Sequence, residues 1–212
     1  LNYISDCEKG KNEIKETHYD EKIIVPEMKI TANQIIEDKT SNYKAIELPI
    51  IYKAADDFLS EIAMDENVSN RMLEIIDYEA PISENLIIKR LASSYGVSRA
   101  GKRIQEQIKR KLQMYCVKNE IKYTNQEETK IYWKITQNPL TYDKFRKSGT
   151  ESNRRDIKDV PAQEIINAII EIVNTEISID KEALVKEAGK LLGYSRLGGN
   201  VNSIIEMQIT TL

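Results

Sequence analysis

Residues 82–108 and 179–205 repeat one pattern at an offset of 97 positions, and this constrains the fold more than any other feature. In the first copy, ISENLIIKRLASSYGVSRAGKRIQEQI, stand Gly96, Ser98, Arg99 and Gly101; in the second, IDKEALVKEAGKLLGYSRLGGNVNSII, stand Gly193, Ser195, Arg196 and Gly198. Leu91, Tyr95 and Ile104 fall on Ala188, Leu192 and Val201. Each copy reads as a helix, a Gly-containing turn and a second apolar-periodic helix, so two copies of one small helical unit are expected. Such units bind nucleic acid or partner proteins more often than they catalyse.

The flanking text extends both units. A stripe at Ile50, Ile51, Ala54, Ala55, Phe58, Leu59 and Ile62 predicts a helix, with Pro49 near its first turn. Asn67 or Ser69 is placed to cap the next, with Val68, Met72, Leu73, Ile75 and Ile76 inward, and Ala80-Pro81 ends it. Ser83 caps a helix to about Tyr95, with Leu86, Ile87, the stem of Arg90 and Leu91 along one side. Gly96 is a left-handed stop, and Ser98 caps a third helix to about Lys118. The β-prone runs Ile121–Thr124 and Lys130–Ile135, split by a polar turn, predict a hairpin. Three helices followed by a hairpin is the winged-helix plan, a variant of the helix-turn-helix. Pro161 then opens a helix carrying Ile165, Ile166, Ile169, Ile170, Ile172 and Val173, and Asp180 and Ser195 cap the two after it.

The expected fold is therefore mainly α: two tandem winged-helix-like three-helix units, the first with a β-hairpin wing. Residues 1–42 lack a sustained period and read as a linker or extended arm, 43–147 as the first unit with a leading helix, 148–160 as a connector, and 161–212 as a truncated second unit. The chain opens on Leu1 and stops at Leu212, where the first copy still has helix and hairpin to come, so it reads as a piece of a longer protein.

Composition sets outer limits. At 41% hydrophobic and 31% charged the chain is an ordinary soluble one, with no apolar run long enough for a bilayer and no export signal. Cys7 and Cys116 stand alone, without a CxxC or Cys/His cluster, which fits a reducing cytoplasm and disfavours a disulfide framework or zinc site. His18 is the single histidine, and no phosphate-binding glycine loop is present, so neither a histidine-based catalytic triad, a cofactor nor a resident metal is expected. The adjacent carboxylates Asp56-Asp57 and Glu127-Glu128 diverge on a helix or strand and read as solvated surface. Net charge is −3, but residues 81–147 hold fifteen Lys and Arg against six Asp and Glu, a balance of +9, and the remainder is −12. Separation of sign along a chain is an argument about partners.

The sequence also resembles the uncharacterised C-terminal module of large bacterial superfamily 1 helicases that carry an endonuclease-like domain. The resemblance covers about Tyr43 to Leu212 and rests on APISENLIIKRLASSYGVSRAGKRI, Tyr132-Trp133, YDKFR (Tyr142 to Arg146), DVPAQEIINAI and LLGYSRLGGNV. It departs from that pattern at Lys134, where a proline is expected, and in the few cations on the third helix of the second copy. It implies upstream helicase domains in the same protein and supplies no settled biochemical role.

On a helical wheel of the third helix, Ile104, Ile108, Leu112 and Tyr115 form one stripe. Arg99, Arg103, Glu106, Arg110 and Gln113 lie opposite, with Lys102 on the flank. Arginine can clamp phosphate or read guanine, and the wing adds Lys122, Lys130 and Lys134 for backbone contacts. DNA or RNA is the expected partner, held mainly through phosphates. The competing reading is a solvated face in which Glu106 pairs with Lys102, Arg103 or Arg110. Another makes the chain a protein-docking module working through its acidic arm and second copy; a free-standing transcription factor is a third. The second copy has Arg196, Gly199, Asn200, Ser203 and Met207 at the matching positions, so it is not expected to bind in the same way. The shared Ser–Arg pair and the glycines at 101 and 198 read as structural, serine capping and glycine allowing helices to approach. Tyr132 and Trp133 alternate across a strand, so one should face in and the other out. Trp133 reads as wing core or, alternatively, as a base-stacking platform, and Tyr142, Phe145, Arg146 and Lys147 as a lashing of the connector or an extension of the binding surface.

Overall fold

The computed structural model describes residues 39–127, 129–148 and 154–212. The expectations for residues 1–38, His18 and Cys7 among them, lie outside the described residues. The protein is mainly helical, with seven α-helices and two small sheets among the described residues. Strand β1 (Thr40–Asn42) leads into α1 (Ala55–Met64) and α2 (Glu66–Glu79). Strand β2 (Ile82–Ser83) precedes α3 (Glu84–Ser94) and α4 (Lys102–Val117). Strands β3 (Ile121–Gln126) and β4 (Thr129–Lys134) follow, and then β5 (Phe145–Lys147). A short 3-10 turn at Ile157–Asp159 introduces α5 (Ala162–Thr175), α6 (Lys181–Leu191) and α7 (Gly199–Thr211).

The 97-residue offset survives at the level of single bonds. Helices α3 and α6 match residue for residue, and α4 and α7 begin at matching positions. Ser83 accepts from the Leu86 N–H and Asp180 from the Ala183 N–H, each closing the first turn of its helix. Gly96 and Gly193 stop the two helices at φ +74° and +88°, a region that L-residues with a Cβ avoid. After each, a buried residue donates back to the helix: Val97 N to Ala92 O at 3.0 Å, and Tyr194 N to Gly189 O at 2.8 Å.

Several local expectations are corrected. Helices α4 and α7 begin three residues later than Ser98 and Ser195 imply, after Gly101 and Gly198, whose dihedrals are extended and nearly identical. Burying Val97 and Tyr194 directly after a left-handed glycine carries the chain away from helical dihedrals, so helix entry is delayed. A Cβ on Gly101 or Gly198 would meet nothing within 4 Å, so these glycines serve no close helix approach. Asp65, not Asn67 or Ser69, caps α2. Ile50 and Ile51 precede α1 in an extended, exposed segment held by Ile51 N to Ser94 O and Lys53 N to Tyr95 O. On α5, Ile165, Ile169 and Ile172 are buried while Ile170 and Val173 face outward.

Two clusters of buried side chains result. One joins α1 to α4 with Ile82, Ile121 and Tyr132 of the sheet. Within it the Lys111 ammonium is drawn inside to donate to the carbonyl of Ile62 at 2.6 Å, capping the end of α1, and burial pushes its pKa down. The other cluster gathers Phe145, Ile157, Val160 and the inner faces of α5, α6 and α7.

Strand β4 is central in the sheet β2-β4-β3, which is why Tyr132 and Trp133 are both buried rather than one in and one out. Tyr132 donates to Glu84 at 3.1 Å on the helical side. On the other side Trp133 donates to Thr124 at 3.0 Å and meets Tyr142 edge-on at 5.2 Å. Burial on this scale leaves Trp133 unable to stack on a base.

A buried polar network joins the clusters. Glu164, fully enclosed, accepts from Arg146 (Nε at 2.9 Å) and from Arg155 (Nη2 at 2.8 Å). Arg146 also donates to the carbonyls of Glu79 and Pro81 at 2.7 and 2.6 Å. Both guanidinium groups face the Tyr43 ring, at 5.3 and 4.3 Å. Tyr43 donates in turn to Glu79, which also accepts from Arg90 at 3.2 Å. Arg90 therefore contributes its charged head as well as its stem. Burial pushes the Glu164 carboxyl up, but Arg155 and Arg146 outweigh it and hold the group below its usual value.

Candidate nucleic-acid interface

Helix α4 buries Ile104, Ile108, Lys111 and Leu112, with Tyr115 half-buried. That leaves Lys102, Arg103, Glu106, Arg110 and Gln113 exposed on the opposite side, with Arg99 exposed on the loop just before it. Over 16 residues the helix is about 24 Å long. Arg99, Lys102, Arg103 and Arg110 make no ion pair or side-chain hydrogen bond among the described residues, and Glu106 neutralises none of them.

The placement of these cations works against helix stability. A helix N-terminus carries a partial positive charge, so acidic side chains belong in the first turn. Helices α1, α2, α3, α5 and α6 obey, with Asp56, Glu66, Glu84, Glu164 and Glu182 there. Helix α4 instead has Lys102 and Arg103 in its first turn, Arg99 just ahead, and Gly101 at the N-cap without a side-chain bond. Its free N–H groups and three cations thus add to one another at a single end, the arrangement that an anion stabilises. Helix α7 has the same uncapped entry at Gly198 but only Arg196 nearby.

Farther along α4, Glu84, Lys109, Arg110, Gln113, Asn125 and Lys130 line a groove of about 500 Å³ between the helix and the hairpin. Lys130 lies 4.2 Å from the centre of the Tyr123 ring, and Lys109 pairs with Glu84 at 2.8 Å. Arg110 and Lys130 are thus brought together. The other hairpin lysines are not: Lys122 and Lys134 sit at the far end of the ladder, opposite Trp133 and Ile121. Lys122 donates to the carbonyl of Ile135 at 3.0 Å, and Lys134 pairs with Asp77 at 3.0 Å.

The hairpin tip is also engaged. Gln126 donates to Val160 O at 2.9 Å and accepts from the Ala162 N–H at 2.6 Å, holding the start of α5, while Ser83 donates to Asp159 at 2.6 Å. Arg146, Lys147 and Phe145 divide similarly. Phe145 lies in the second core, Arg146 in the buried network, and Lys147 is exposed.

Sequence reasoning missed Tyr52, which is 83% exposed and whose ring packs on Gly96, three residues before Arg99. Its position inside a supposed helical stripe hid it. The second copy presents Arg196, Gly199, Asn200, Ser203 and Met207 to solvent, with one cation among them. Among the described residues no group of three or more His, Cys, Asp or Glu is arranged to hold a metal, and no helix is long and apolar enough to cross a membrane. Cys116 is a free, half-buried thiol whose pKa burial pushes up.

A family model described as a protein of unknown function, DUF3320, matches residues 56–106, from α1 to the first turn of α4. The match includes Arg99, Lys102 and Arg103. No curated protein and no solved structure matches the chain.

Proposed function

We propose that this chain is a non-catalytic accessory module that binds DNA or RNA mainly through phosphates, using the N-terminal end of α4. One observation carries the reading: Arg99, Lys102 and Arg103 stand at an uncapped helix start without an ion pair or side-chain hydrogen bond among the described residues, where they cost stability and gain from an anion. Arg110 and Lys130 extend the surface along the groove beside the hairpin. In this reading α2, α3, α4 and the β3–β4 hairpin form a winged helix, with α5, α6 and α7 its shorter sister. The wing differs from a free one, since Gln126 at its tip braces the second unit. Contacts to nucleic acid therefore fall to the helix and to Lys130 more than to Lys122 and Lys134. Carried over from the resemblance in the sequence, such a module would stand at the end of a large helicase and help to hold its substrate.

Anisotropy titrations of the 212-residue chain with single- and double-stranded DNA and RNA at two salt concentrations test this. A dissociation constant of about 10⁻⁴ to 10⁻⁶ M that weakens steeply with salt is expected of phosphate-led binding. Arg99→Glu with Arg103→Glu should abolish it with the fold intact, because Ile104, Ile108 and Leu112 set the packing. Arg196→Glu should have little effect. If the double substitution changes nothing, the docking reading takes over. Its support is the outward stripe Ile170, Val173 and Ile177 at the second unit.

A further inference from the structure

Tyr52 is the most exposed aromatic on the described surface, at 83%, and it does not sit on a slack loop. The backbone on either side of it is pinned. Ile51 N donates to Ser94 O at 2.9 Å, Lys53 N to Tyr95 O at 3.2 Å, and Arg71 clamps Pro49 O at 2.8 Å. The ring lies against Gly96. A Cβ there would come within 2.9 Å of Tyr52 Cδ1 and 3.5 Å of its Cα, so this glycine supplies both a left-handed turn and a seat for the ring. An aromatic held in water on a pinned backbone forgoes the burial that usually stabilises such a side chain.

The neighbourhood indicates what could cover it. Gly96 is three residues from Arg99, so their Cα atoms are at most about 11 Å apart. Arg99, exposed and without an ion pair or side-chain hydrogen bond among the described residues, thus lies within about 11 Å of the glycine on which the open ring rests. Phosphate and nucleobase occur together at that spacing in a nucleotide with its base unpaired, and bases stack on aromatic side chains regardless of sequence. In a duplex the bases are already stacked on one another and cannot reach the ring. Elsewhere near the basic face the aromatics are occupied: Tyr132 and Trp133 are buried, and Tyr123 is covered by Lys130.

We propose that Tyr52 is a stacking platform for an unpaired nucleobase, which makes the preferred ligand a single strand or the unpaired end of a duplex. This rests on the phosphate-binding reading of α4 and narrows it. An apolar peptide covering Tyr52 and Ile50 is the competing occupant.

The test measures anisotropy with four labelled ligands: a single strand of mixed sequence, a blunt duplex, a duplex with a single-stranded overhang, and an abasic strand carrying phosphates without bases. Tyr52→Ala should weaken the single strand and the overhang by about 5- to 150-fold, the range that stacking on one aromatic supplies. It should leave the blunt duplex and the abasic strand unchanged. Tyr52→Phe should retain wild-type binding, and Tyr52→Trp should add an exposed indole whose emission is quenched by the single strand but not by the abasic one. If Tyr52→Ala leaves single-strand affinity unchanged, or weakens all four ligands alike, the stacking role is overturned while phosphate binding stands. If the wild-type chain binds none of the four, the phosphate reading falls first and this one with it.

Discussion

Replacing Glu164 by Gln keeps shape and volume but removes the negative charge from a fully buried site. Two guanidinium groups would then lose their counter-ion: Arg155, 2% exposed, and Arg146, which also spans to the carbonyls of Glu79 and Pro81. Neither can turn to water, because Arg155 is enclosed beneath the Tyr43 ring and Arg146 is fixed by bonds at both ends. Removing one partner of a buried pair typically costs about 3–5 kcal/mol, because a charge is left uncompensated. For a chain of this size each kcal/mol moves the melting temperature by about 2–4 °C, so a fall of about 6–20 °C is expected. Thermal and urea denaturation followed by circular dichroism measure it. The exposed pair Lys190–Glu187, at 2.7 Å, is the internal comparison. Glu187→Gln should cost about 0–1 kcal/mol. If Glu164→Gln is no worse than Glu187→Gln, the network between the two cores does not hold the structure together as argued.

Three further outcomes follow from the same contacts. Because the folded pKa of Glu164 lies below its unfolded value, its contribution is fully present above the unfolded pKa and is lost as pH falls through the folded one. Urea midpoints taken across the acid range should therefore show less acid destabilisation in Glu164→Gln than in the wild type. Gly96→Ala should cost at least about 1–2 kcal/mol from its positive φ, plus the collision with Tyr52, whereas Gly101→Ser should be neutral or stabilising because its side chain meets only solvent and can cap α4. Thermal melts separate the two. Lys130→Ala should lower nucleic-acid affinity, while Lys134→Ala, which only breaks a pair with Asp77, should leave it unchanged in the same anisotropy assay.

What could be read from the sequence was whatever depends on neighbours along the chain. The helical stripes of α2, α3 and α4, the caps at Ser83 and Asp180, and the left-handed Gly96 are set within four or five residues, and they appear where expected. The face Lys102–Arg103–Arg110 follows from helical periodicity alone. Features that depend on distant partners were not legible. Nothing local distinguishes Ile50 and Ile51, which border an extended segment, from Phe58 and Ile62, which are buried; the difference is the pairing of Ile51 and Lys53 with Ser94 and Tyr95. Trp133 and Tyr132 alternate in direction, yet both are covered because a helical layer lies on one side and Tyr142 on the other. Glu164 looks like an ordinary first-turn acid until Arg146 and Arg155 close around it. Tyr52 was hidden for the reason Ile50 and Ile51 were misread.

The central claim is that unpaired cations around the start of α4 hold phosphates, and the salt dependence of binding tests it most directly. Each phosphate neutralised on duplex DNA contributes a slope of about −0.9 to log K against log salt, so Arg99, Lys102, Arg103, Arg110 and Lys130 together predict about −4.5. Arg99→Gln with Arg103→Gln should bring the slope to about −2.7 while the melting temperature holds or rises, because cations at a helix N-terminus cost stability. A slope near zero in the wild type, or one that the two substitutions leave unchanged, would contradict the account.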